Sequence, residues 1–238
     1  MTLDLLAIAP HPDDVELTCG GTLLKMAAAG YRTGILDLTR GETGTRGTPE
    51  IRAREAARAA KILGVQMRRN AGLPDAQLRV SDEYKAIVAE IVRELQPRTV
   101  ILPYWEGRHP DHYTAATLGY EACFVAGLKN YHVAGEPFRP FKILYAAAYA
   151  TATPTFAVDI TKFYERRRRA ILSYASQFTP PKGTPKSKVF LPLDELEERM
   201  NFIARNYGRM IGVKYAEGFV VKEVMQVDDV VKLPVRSI

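Results

Sequence analysis

Cysteine is scarce in this chain of 238 residues: only Cys19 and Cys123 occur, far apart and in no Cys-x-x-Cys pattern. That excludes a disulfide framework and a thiolate zinc site. Long apolar runs are missing as well, and none approaches the roughly 20 residues that cross a bilayer. The N-terminal stretch has no basic leader and Asp4 interrupts its apolar run, so it reads as a buried strand and not a secretion signal. A cytoplasmic location without a membrane partner is the expectation. Nor does one sign of charge dominate, since 33 Lys and Arg face 27 Asp and Glu for a net +6. So modest an excess is satisfied by a small anionic partner. The one dense basic run, Arg166-Arg167-Arg168-Arg169, lies in a helical stretch, where four consecutive residues point around a whole turn and cannot form a stripe. No zinc-finger, RRM or helix-turn-helix pattern accompanies it, so no nucleic-acid partner is expected.

What is present is an ordinary globular composition, 47% apolar and 25% charged. The length suits one α/β domain over residues 1–238. Short apolar runs alternate with longer amphipathic segments, the pattern of a Rossmann-like, mainly parallel sheet with helices on both faces. Strands are expected at 3–9, 33–39, 65–69, 99–102 and 144–149, with helices at 21–29, 49–63, 82–95 and 112–128 between them. Ile87, Val88, Ile91, Val92 and Leu95 recur at helical spacing and define one buried face. Gly30 and Gly64 stand where a left-handed residue closes a helix. Further on come a strand at 156–159, a helix from Thr161, an exposed Pro/Gly/Lys-rich loop at 179–188, a helix at 193–211, and one or two short strands within 219–231.

Three of the four histidines fall in two clusters that both begin His-Pro-Asp. His11-Pro12-Asp13-Asp14 follows the first strand, and His109-Pro110-Asp111-His112 follows the fourth. In a doubly wound sheet those two strands are neighbours where the strand order reverses, and ligands bind at the carboxyl ends there. The clusters should face each other. Two imidazoles and a carboxylate supply a hydrolytic zinc site with one open position for water. A second carboxylate beside the metal takes the water's proton, and Asp13 with Asp14 offers one residue for each role. His109, beside Asp111 to keep it protonated, can donate to a leaving amine. A lone His-Pro-Asp is a common turn, and either aspartate could merely cap the helix that follows. Two such triplets at adjacent strand ends are hard to assign to turns. His132, outside both clusters, reads as a loop histidine.

These clusters resemble those of the LmbE-like, or PIG-L-type, zinc-dependent de-N-acetylases, over nearly the whole chain. The resemblance implies a Rossmann-like fold, an N-acetylglucosaminyl substrate and one Zn2+ per chain held by His11, Asp14 and His112. It implies Asp13 as general base and His109 as catalytic histidine with Asp111 as its partner. Longer motifs, among them Asp37-Leu38-Thr39-Arg40-Gly41-Glu42, Gly72-Leu73-Pro74-Asp75 and Gly212-Val213-Lys214-Tyr215-Ala216-Glu217-Gly218-Phe219, are similar to the bacillithiol-biosynthesis deacetylases, which act on N-acetylglucosaminyl malate. Thr18-Cys19 before Gly20-Gly21 departs from that pattern, and 182–188 gives no match. The family also implies that Arg52 binds substrate, a surface ion pair with Glu55 on the same helix being the alternative, and its members often form homo-oligomers. Arg108 offers its planar fork to a malate carboxylate. Gly41, Gly44 and Gly47 let backbone N–H groups approach a sugar or anion. Cys19 reads as a small buried side chain.

Two rival functions meet specific objections. A dinucleotide-binding module needs glycines directly after the first strand, where this chain has two carboxylates that repel phosphate. A metal protein without catalysis would close the fourth metal position and would have no use for Asp13 and His109.

Overall fold

In the computed structural model, residues 2–149, 152–179, 183 and 191–235 are described. Most of the loop expected at 179–188 therefore lies outside the described residues. Strands β1 (Leu5–Ala9), β2 (Thr33–Thr39), β3 (Met67–Leu73), β4 (Thr99–Pro103) and β5 (Lys142–Ala146) alternate with helices α1 (Asp14–Ala28), α2 (Pro49–Leu63), α3 (Asp82–Leu95) and α4 (Pro110–Ala126). Beyond them come β6 (Phe156–Asp159), α5 (Tyr164–Leu172), the one-turn α6 (Ala175–Phe178), α7 (Leu193–Met210) and β7 (Ala216–Val220). The seven strands form one sheet in the order β3-β2-β1-β4-β5-β7-β6. Strands β1 to β5 pair in parallel, and β7 runs antiparallel between β5 and β6.

The central strands are buried on both faces, which is why they read as continuous apolar runs. Alternate residues serve opposite cores. Leu6, Ile8, Leu36, Leu38, Val100 and Leu102 pack with α3 and α4, while Leu5, Ala7, Ala9, Ile35 and Ile101 pack with α1, α2 and α5. β1 pairs with both β2 and β4, so the strand order reverses beside β1, as expected. Ser81 caps α3 by accepting from the Tyr84 N–H, Thr48 caps α2 by accepting from Ile51 with Pro49 behind it, and Gly30 and Gly64 take positive φ.

Several boundaries differ from the sequence expectation. α1 starts at Asp14, seven residues before 21, because two helical pieces join across a break at Cys19 (φ −145°, ψ 17°). The break frees the N–H groups of Gly21 and Thr22, and both donate to the Glu217 carboxylate, at 2.8 and 2.7 Å. A Cβ on Gly21 would sit 2.8 Å from Ile160 and 2.9 Å from Glu217, so that position requires glycine. α4 begins at Pro110, whose fixed φ and missing N–H suit a first helical turn. β3 runs to Leu73 and β5 covers 142–146 in place of 144–149. The strands expected within 219–231 reduce to the end of β7, since Val224, Val230 and Val231 are exposed and no partner strand is present among the described residues. The arginine run is largely used internally: Arg166 donates to the Ile62 carbonyl, Arg167 to those of Glu16 and Leu17, and Arg168 pairs with Glu197. No helix among the described residues is long and apolar enough to cross a membrane.

Candidate active site

Both clusters sit where the reversed strand order puts them, at the carboxyl ends of β1 and β4. After β1, the Pro10 carbonyl accepts from the Thr39 N–H and hydroxyl, each at 2.9 Å, and so ties the loop to the end of β2. The chain then turns through Asp13 at φ 112°, a conformation that non-glycine residues rarely hold. Arg52 stabilises that turn from α2: its Nη2 donates to the Pro12 carbonyl at 2.6 Å and to Asp13 Oδ2 at 3.3 Å, and its Nη1 donates to the Gly41 carbonyl at 3.2 Å. Arg52 is buried, and the contacts of its guanidinium are to the protein itself. The ion pair with Glu55 is not formed, since that carboxylate accepts from the Ser176 N–H and hydroxyl.

Asp14 opens α1 and gathers the two clusters. Its Oδ2 lies 3.1 Å from both the His11 N–H and His11 Nδ1, and its Oδ1 lies 3.3 Å from His112 Nε2. Tyr149, absent from the sequence-derived site, brings its hydroxyl to 3.5 Å from Asp14 Oδ1 and its ring to 5.2 Å from that of His112. His11, Asp14 and His112 can present donor atoms within 4.8 Å of one another, as can His11, His109 and Asp111. The first set has the two-imidazole, one-carboxylate chemistry of hydrolytic zinc sites.

The second cluster is more open. His109 is exposed at the start of α4, where its Nδ1 accepts from the Asp111 N–H at 3.2 Å. The Asp111 carboxylate points instead to His11 Nε2 at 3.2 Å and accepts from the Ala76 N–H at 3.0 Å. The expected pairing of Asp111 with His109 is thus made through the backbone, while its charge serves His11. Arg108 is exposed beside His109. Asp75 is a further carboxylate on His11, its Oδ1 3.0 Å from Nε2. The Gly-Leu-Pro-Asp motif marked that residue, but nothing in its spacing assigned it a contact.

Burial and neighbours separate the two adjacent aspartates. Burial pushes Asp13 up to about 7, more than Arg52 can offset. Burial also acts on Asp14, but His112 and His11 outweigh it and hold Asp14 well below the usual carboxylate range. His11 resists burial through Asp111, Asp14 and Asp75 and lies well above the ordinary imidazole value. For His109, burial together with the nearby His112 and His11 lowers the value, against the weaker pull of Asp111. The protonated His109 expected from sequence is therefore not favoured by these neighbours.

A family model of the GlcNAc-PI de-N-acetylases (PIG-L) matches residues 6–123, a span that holds both clusters. Diacetylchitobiose deacetylase of Thermococcus kodakarensis is 34% identical over 90% of this chain and 81% of its own length. The chain belongs to the PIG-L deacetylase family. The conserved protein TT1542 from Thermus thermophilus has the same fold, with a TM-score of 0.86 and 42% identity over 95% of this chain and 98% of that one. A Bacillus anthracis relative described as a probable N-acetyl-α-D-glucosaminyl L-malate deacetylase is 27% identical over 73% of this chain and 81% of its own. As a PIG-L deacetylase the chain is a hydrolase.

Proposed function

We propose that the chain removes acetate from the N-acetylglucosaminyl unit of a small glycoside, with zinc held by His11, Asp14 and His112. The observation that carries this reading is the convergence of those three side chains at the ends of β1 and β4, with Asp13 beside them. Zinc held there would supply a water of lowered pKa and polarise the acetamide carbonyl. Asp13, with a value near neutrality, takes the proton of the attacking water. Arg52 holds Asp13 in place. His109, at the open rim, would pass a proton to the amine nitrogen as its bond to the carbonyl carbon breaks: its neighbours keep its charged form scarce at neutral pH but make that form the stronger acid.

For the rest of the substrate, the malyl group expected from the sequence motifs fits the exposed guanidinium of Arg108, which has no hydrogen-bond or ionic partner among the described residues. A second reading, a chitobiose-type disaccharide, is favoured by the 34% identity to the diacetylchitobiose deacetylase. The homo-oligomer implied by the resemblance finds support in the exposed Phe202, Met210 and Ile211 of the C-terminal third. The decisive measurement is acetate release from N-acetylglucosaminyl malate, N,N'-diacetylchitobiose and N-acetylglucosaminyl inositol, each with and without a chelator. We expect release from at least one of them, abolished by the chelator and restored by zinc. Equal release in the presence of chelator would overturn the metal assignment, and no release from any of them the substrate class.

A further inference from the structure

We infer that Asp75 is a positioning residue for metal binding: by holding His11 Nε2, it turns the Nδ1 lone pair of the same ring toward Asp14 and His112. This rests on the zinc reading above. A carboxylate only accepts hydrogen bonds, so the imidazole nitrogen that faces two of them must carry the proton. In His11 that nitrogen is Nε2, 3.0 Å from Asp75 Oδ1 and 3.2 Å from Asp111 Oδ2. Nδ1 faces only Asp14, 3.1 Å away and itself in the proposed ligand set, so a metal ion between the two would take the place of a proton there, and Nδ1 is the nitrogen whose lone pair it would use. Metal-ligating histidines are commonly oriented in this way by an outer carboxylate.

Asp75 suits the task because the protein fixes it from several directions. It is 4% exposed. Its Oδ2 accepts from the Thr43 N–H at 2.9 Å and from the Thr43 hydroxyl at 2.7 Å, and its own N–H donates to Glu42 Oε1 at 2.8 Å. Ala76, at φ 59°, turns the backbone so that its N–H reaches both Asp75 Oδ1 and Asp111 Oδ2. The glycine-bearing loop after β2 is thereby fastened to a proposed metal ligand through Thr43 and Asp75. The same loop meets the proposed base through the Gly41 carbonyl and Arg52. Neither contact requires the substrate.

The test is zinc affinity by competition with a chromophoric chelator, measured on wild type, Asp75→Ala, Asp75→Asn and Thr43→Val, with kcat and KM taken at limiting and at saturating zinc. Because Asp111 stays in place, Asp75→Ala should weaken zinc about tenfold, the low end for loss of an outer carboxylate. Its kcat should recover toward wild type as zinc is raised, with KM little changed. Asp75→Asn keeps one acceptor oxygen and should show a smaller loss, and Thr43→Val a smaller one again. Should Asp75→Ala fail to fold, the Asn and Val variants give the same ordering. Unchanged zinc affinity in these variants, with the defect confined to KM, would overturn the inference and make Asp75 a substrate contact. Failure of the wild type to hold zinc at all would instead sink the metal reading itself.

Discussion

The two His-Pro-Asp clusters share three letters and little else. The one after β1 is buried, backed by Arg52 and bent through a left-handed Asp13; the one after β4 lies open, with His109 exposed at the first turn of α4. In the first, the aspartate of the triplet faces inward and its proton affinity rises to near neutrality. In the second, Asp111 swings away from its own histidine to serve His11, and its value falls below the usual carboxylate range as His11 outweighs burial. Both triplet aspartates are buried, so the difference lies in what faces them: Asp13 stands beside the Asp14 carboxylate, whereas Asp111 meets His11 and the Ala76 N–H. A carboxylate whose proton affinity burial raises to near neutrality suits proton abstraction.

The contrast can be broken at several points. Replacing the residue that joins the clusters should cost most: His112→Ala is expected to lose bound zinc and at least about a thousandfold in kcat/KM, read by metal analysis beside acetate release. A full zinc equivalent in that variant would remove His112 from the ligand set. Asp13→Asn should keep zinc while kcat falls on the order of 10²- to 10⁴-fold, and near-normal turnover would mean that the base lies elsewhere.

The same Asp13 variant tests burial independently of activity. A carboxylate whose folded pKa is raised penalises the native state wherever it is ionised. The penalty grows as pH climbs from about 4 toward 7 and is complete above that. Metal-free Asp13→Asn should therefore be more stable than wild type at pH 8, on the order of 4 kcal/mol by urea titration, with the advantage fading by pH 4. An advantage independent of pH would count against the raised value.

On the open side, His109→Gln should retain zinc and lose about a hundredfold in kcat. A loss of metal there would favour the alternative set of His11, His109 and Asp111. The smallest effect is expected from Arg108→Ala: KM for the malyl conjugate should rise about tenfold, with KM for diacetylchitobiose unchanged. An equal rise for both substrates would show that Arg108 does not read the aglycone charge.

Much of this was legible from residue patterns. β1, β2 and β4 stand out as apolar runs, the helices expected at 49–63 and 82–95 keep those bounds, and the position of each cluster after its strand predicts that the two meet. What remained hidden depends on contacts far apart in sequence. The start of α1 was obscured because Cys19, Gly20 and Gly21 look like poor helix, and the carboxylate that completes the second half of that helix comes from β7. Asp111 sits two residues from His109, which suggested a pair, but the helix start directs its side chain toward β1. Arg52 could be marked as a site residue, but which of its neighbours it would hold could not be read from one helix alone. Buried Glu16, two positions after Asp14, is ion-paired to Arg68 of β3, which also binds Asp37 of β2, and no local pattern signals such a network.

The bond from Glu217 to the broken helix also bears on how the site comes into being. Gly21 and Thr22 lie 196 and 195 residues from the carboxylate they share. Pairings so distant in sequence form late and slow folding, and on a ribosome the N-terminal part emerges first. Both His-Pro-Asp clusters would leave the ribosome well before β7, and α1, which carries Asp14, would wait for the last strand to be completed. A fragment ending near residue 123 would contain every proposed ligand and still lack the residue that finishes the helix beneath them.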